Sequence, residues 1–115
     1  MSDPAEELLR HPRFAWREGM RDRAGVRVFD LDLFDATSAP DLSDWATAGI
    51  LLGLLGETGR LTDVVKQGDE WIVAVDLPED GVQGWAGDTL GEAAAYALIG
   101  LWEALDFGGS EGGGE

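Results

Sequence analysis

Between residues 61 and 86 short apolar-rich stretches separated by turn residues read as strands, and the middle one has the period of two that marks a half-buried face. Leu61-Thr-Asp-Val-Val-Lys-Gln predicts one strand and Glu70-Trp-Ile-Val-Ala-Val-Asp-Leu a second, in which Trp71, Val73, Val75 and Leu77 share a face. Gly68-Asp69 predicts a tight turn between them. Pro78-Glu-Asp-Gly81 predicts another, because proline suits the first central position of a type I or II turn. A short third strand, Val82-Gln-Gly-Trp-Ala, completes a meander.

Elsewhere the spacing is helical. Asp88-Thr89-Leu-Gly-Glu92 opens the closing helix with a capping-box pattern, and Leu90, Ala94, Ala97, Leu98, Leu101 and Leu105 form its apolar stripe. The segment from about Asp44 to Leu55, capped by Asp41 or Ser43, is apolar nearly all round and predicts a largely buried helix. In it Gly49 and Gly53, four apart, predict close packing on a sheet, and Gly56 or Gly59 supplies the stop. A short helix over 3–10 takes Ser2 or Asp3 as cap and Pro4 in its first turn, and His11-Pro12 ends it. Val26-Arg-Val-Phe-Asp-Leu-Asp-Leu-Phe predicts a hairpin or extended arm, and 35–43 a loop.

These elements predict an α+β fold in which an antiparallel sheet, a three-stranded meander with an N-terminal hairpin beside it, packs against two main helices. The length of 115 residues fits one domain over 1–107. Residues 108–115 are Gly and Glu with one Ser, which have nothing to bury and predict a disordered tail.

Composition narrows the function. Without cysteine there is no disulfide, thiolate metal site or cysteine nucleophile, and a cytoplasmic location is expected. The N-terminus carries acids where a secretory leader needs bases, and the longest apolar run, Ala46 to Leu55, is about half a bilayer span. The net charge is −15, unevenly placed. Residues 1–27 hold five acids and six bases, all Arg, for a net +1; residues 28–115 hold eighteen acids against Arg60 and Lys66, for a net −16. Such a field repels nucleic acid and anionic membranes and attracts basic partners at long range. It also keeps a small protein soluble, which is the plainer use of the same acids.

The order strand, turn, strand, short strand, then Gly87-Asp-Thr-Leu-Gly-Glu-Ala opening a helix resembles the HicB-type antitoxin domain over about half of the chain. With Phe14-Ala-Trp and Gly19-Met at the front and an alanine-rich closing helix, most of the chain resembles small phage and prophage proteins of the ABA-sandwich group. The second resemblance implies a phage-encoded accessory protein and carries over no catalytic residue. A double-stranded-RNA-binding domain has a similar element order but needs bases on its closing helix, where this chain has Glu92, Glu103 and Asp106.

Candidate chemistry is sparse. His11, the one histidine, has no patterned nucleophile or partner and suits a helix end. Asp30, Asp32 and Asp35 begin like a calcium loop, but Phe34 stands where the third oxygen ligand belongs. Asp76, Glu79 and Asp80 suit a hairpin turn, and the glycines form no phosphate loop. No metal, cofactor or enzymatic activity is expected. Trp85, bracketed by Gly84 and Gly87, reads either as an exposed anchor or as a core residue.

The preferred reading is a non-enzymatic acidic protein that inhibits a host or defence protein by occupying its basic, nucleic-acid-binding surface. Asp30 and Asp32, two apart on a strand, would recur at about 6.7 Å, near two axial phosphate steps. Asp35, Asp41, Asp44, Asp63, Asp69, Glu70, Asp76, Glu79 and Asp80 would extend the field, with Trp85 as anchor. The alternative is an oligomerising module of antitoxin type, a homodimer joined through the Trp-rich hairpin or through the Arg-rich segment meeting another copy's acidic body.

Overall fold

The computed structural model of the chain describes residues 3–34 and 38–114, the last eight by their backbone. In chain order the elements are α1 (Pro4–Arg10), α2 (Trp45–Glu57), β1 (Leu61–Gln67), β2 (Glu70–Leu77), β3 (Gly81–Gly87) and α3 (Leu90–Gly114). The strands form an antiparallel sheet in the order β1-β2-β3, so the fold is α+β with helices packed on a meander.

Local chemistry sets the boundaries. Asp3 caps α1 by accepting from the Ala5 N–H, and Pro4 occupies the first turn. Asp44, rather than Asp41 or Ser43, caps α2, because its carboxylate reaches the Thr47 N–H. Gly59 follows the end of α2 with a φ of +73°, the left-handed geometry that ends helices cheaply only with glycine. Gln67 pairs with Glu70 across the two-residue turn Gly68-Asp69, and Leu77 with Gly81 across a three-residue loop.

The period-two face of β2 lies where its pattern predicts. Val73, Val75 and Leu77 are buried against α3, whose Ala94, Ala97, Leu98 and Leu101 belong to the same core, and Leu51 and Leu55 of α2 and Leu8 of α1 join it through helices packed on α3. Close approach falls on α3. A Cβ at Gly100 would collide with the Trp85 ring, and one at Gly91 with the Leu42 carbonyl. These two glycines, not those of α2, let backbone meet its neighbour.

Two expectations change. α2 buries Thr47, Ala48, Leu51 and Leu55, while Trp45, Gly49, Gly53 and Gly56 lie on its exposed side with open space beyond Gly49 and Gly53. α3 and the N-terminal arm cover only one flank of this helix, so its uniform apolarity overstates its burial. Residues 26–34 form no strand. The N-terminal arm is held by isolated bridges, Arg21 with Arg27 and Asp22 with Pro40, and by the backbone bonds of Gly19 and Met20 to Val28. The backbone of α3 runs to Gly114.

No helix of the described residues is long and apolar enough to cross a membrane.

Candidate functional site

Charge is distributed by pairing. Each of the six arginines between 10 and 27 meets an acid of its own chain: Arg10 with Glu6, Arg13 with Asp106, Arg17 with Glu57, Arg21 with Asp41, Arg23 with Asp3 and Arg27 with Asp44. Those acids belong to helices, caps and the 41–44 turn. The Arg-rich segment is thus engaged within the chain, stitching the N-terminal arm to α1, α2 and α3.

This accounts for two predicted site residues. Asp44 is 11% exposed, bound by Arg27 and the Thr47 N–H, and its carboxyl is held far below the usual range, chiefly by the Arg27 hydrogen bond and against the effect of burial. Asp41 accepts from the Ser43 N–H and hydroxyl and faces Arg21. Both are structural in this arrangement and add little to an exposed field.

Asp30 and Asp32 lie on a turn, not a strand. The Asp30 carboxylate accepts from the Asp32 N–H, and its carbonyl accepts from the Leu33 N–H. The phosphate-like spacing expected for this pair therefore has no strand to set it. Asp35 lies outside the described residues. The same turn shows what patterning missed: Phe29 is 82% and Leu33 83% exposed, while buried Val28 on one side and Phe34 against Trp16 on the other anchor the loop. Alternating apolar and acidic residues look like a strand in one dimension, and only the turn reveals two apolar prongs.

The remaining acids gather on the meander. The side of β2 opposite the core carries Glu70, Ile72, Ala74 and Asp76. Register places Asp63 beside Ala74, Val65 beside Ile72, and Val82 beside Asp76 on that outer face. Asp69 stands in the turn at one end, Glu79 and Asp80 in the loop at the other. Among the described residues none of the carboxylates of Asp63, Asp69, Glu70, Asp76, Glu79 and Asp80 has a side-chain cation within 4.0 Å. Lys66 lies over the Trp71 ring at 5.7 Å, and Arg60 donates to the Asp76 carbonyl. The outer face is thus a short apolar band between acidic ends. Chain of this length places Glu70 and Asp76 about 20 Å apart.

Trp85 is half-buried over Gly100 on the inner face, which answers the choice left by the sequence in favour of the core and removes it as an exposed anchor. The exposed tryptophan is Trp45, 67% accessible, set edge-on to Trp71 at 5.9 Å. Between them a cleft of about 150 Å³ reaches Asp88 and Gly91.

Comparison with protein-family models, with curated proteins and with solved structures finds no match for this chain. The site therefore rests on its own geometry.

A second acidic zone surrounds Tyr96. Burial, then Glu92, Glu7, Asp3 and Asp88, push its phenol above the ordinary value of 10.0. The Nδ1 of His11 accepts from the Arg13 N–H, and its ring lies tilted against Trp102 with centroids 4.9 Å apart. Among the described residues no three His, Cys, Asp or Glu are grouped to hold a metal ion.

Proposed function

We propose that this chain is a non-enzymatic acidic binding protein that occupies a basic surface, of the kind that holds nucleic acid, on a partner protein. The observation that supports it is the partition of charge. All six arginines of 10–27 are drawn to helix and cap acids, whereas the six carboxylates of the meander have no ion pair among the described residues, Lys66 lying over Trp71 and Arg60 on the Asp76 carbonyl. Other acids also lack an ion pair among the described residues, Glu18, Glu92 and Glu103 among them, but the meander gathers six in one layer. On this reading the carboxylates of the open sheet face stand in for the phosphates of a nucleic acid, as two rims about an apolar band rather than as a regular ladder. Complementary fields of this kind speed encounter and weaken with salt.

Calorimetric titration with polylysine at low and high salt tests the reading. Asp63→Asn, Glu70→Gln and Asp76→Asn together should weaken binding several-fold, and Glu18→Gln with Glu103→Gln, away from the sheet, should leave it nearly unchanged. Equal effects of the two sets would show a diffuse field and sink the proposal.

A further inference from the structure

The two edges of the sheet are built differently. β1 carries Asp63 and Lys66 and breaks register between Leu61 and Asp63, the charges and irregularity that keep a free edge from recruiting another strand. β3, Gly-Val-Gln-Gly-Trp-Ala-Gly, has neither charge nor proline and pairs with β2 over seven consecutive residues without a shift. Its other edge presents a row of N–H and C=O groups. Among the described residues no backbone hydrogen bond joins 81–87 to anything but β2. Val82, Gly84 and Ala86 are exposed on the outer face, and the acids Asp80 and Asp88 stand exposed just beyond the two ends of the strand.

We propose that β3 accepts a further strand from the partner: an extended segment, uncharged over about seven residues, with Lys or Arg at both ends to meet Asp80 and Asp88. Backbone bonds along the edge supply affinity, and alternate side chains settle beside Val82 and Ala86. A second copy of this chain is the poorer occupant. An antiparallel pair centred on Gly84 would set Asp80 against Asp88 of the other copy, between two chains of net charge −15 each. The inference rests on the reading of the protein as a binder of basic partners and adds where the partner docks and in what conformation.

The test uses the full chain and three probes: the peptide Lys-Thr-Val-Thr-Val-Thr-Val-Thr-Lys, the same peptide with alternate backbone amides N-methylated (one version for each edge), and polylysine. Binding is read by fluorescence anisotropy, and amide exchange locates the contact. The unmodified peptide should bind and slow exchange of the 81–87 amides. The version methylated on the pairing edge should bind roughly a hundredfold more weakly, the loss expected for three hydrogen bonds. If both methylated versions bind as tightly, or protection appears elsewhere, the edge proposal is overturned while polylysine binding leaves the acidic-binder reading standing. If polylysine also fails to bind, both fall. Protection of 81–87 that rises with protein concentration alone would assign the edge to a second copy and overturn the proposal.

Discussion

Arg27 and Asp44 close a two-armed ion pair, Nη1 to Oδ2 at 2.8 Å and Nη2 to Oδ1 at 3.0 Å, that ties the N-terminal arm to the start of α2. Oδ2 of the same carboxylate accepts from the Thr47 N–H and hydroxyl, and Thr47 Oγ1 accepts from the Arg21 N–H. One acid thereby serves as helix cap and as clasp. Asp44→Ala should cost about 1–2 kcal/mol for the cap alone, measured by urea unfolding. Asp44→Asn, which keeps a capping oxygen, should cost less.

The pH dependence of that difference has a definite sign. Because the folded carboxyl of Asp44 titrates below its unfolded value, its stabilisation is present above about pH 4 and is lost as pH falls through the lowered value. The stability gap between wild type and Asp44→Asn should hold from pH 7 to about 5 and narrow below about 4. A gap that widens in acid would contradict the pairing.

Tyr96 is the only tyrosine, so its ionisation can be followed by absorbance without ambiguity. Its midpoint should lie above 10.0, burial being the largest single cause, followed by the carboxylates of Glu92, Glu7, Asp3 and Asp88. Added salt should remove only the carboxylate part. Since the folded value is raised, the associated stability is present below the unfolded value near 10 and is lost as pH rises through the folded one. An ordinary midpoint would show the ring free in water.

Two glycines in helices should respond oppositely to the same change. Gly100→Ala forces a methyl into the Trp85 ring and should destabilise by about 1–3 kcal/mol. Gly53→Ala, with open space around it, should stabilise by about 0.5–1 kcal/mol through helix propensity. Thermal unfolding of the two variants decides the matter; equal effects would mean that Trp85 does not cover Gly100.

Phe29 and Leu33 should be dispensable for folding. The double change to serine should shift stability by no more than about 0.5 kcal/mol and reduce binding of a hydrophobic dye. A loss well beyond that would place these side chains in the core.

The meander, its turns and the closing helix were legible because their information is local. Trp71, Val73, Val75 and Leu77 must share a face whenever the backbone is extended, and Thr89, whose hydroxyl oxygen accepts from the Glu92 N–H, caps a helix wherever it lies. The site was legible by residue type but not by role. Asp30, Asp41, Asp44 and Asp76 look alike in a list of acids, and what separates them is whether a donor lies within reach. Asp22, fully buried with its carboxylate accepting from the Val26 N–H, carried no warning at all.

The sequence by itself determined the three strands of the meander, the starts of α1 and α3 and the excess of carboxylates, all consequences of dihedral preference, side-chain period and formal charge. Tertiary structure alone decided which of those carboxylates remain exposed and unpaired. Ion pairing depends on distances of a few ångströms between residues tens of positions apart, as when Arg13 finds Asp106, and chain folding sets those distances. It also decided that β1 presents a guarded edge and β3 an open one, because an edge exists only once the order of strands in the sheet is settled.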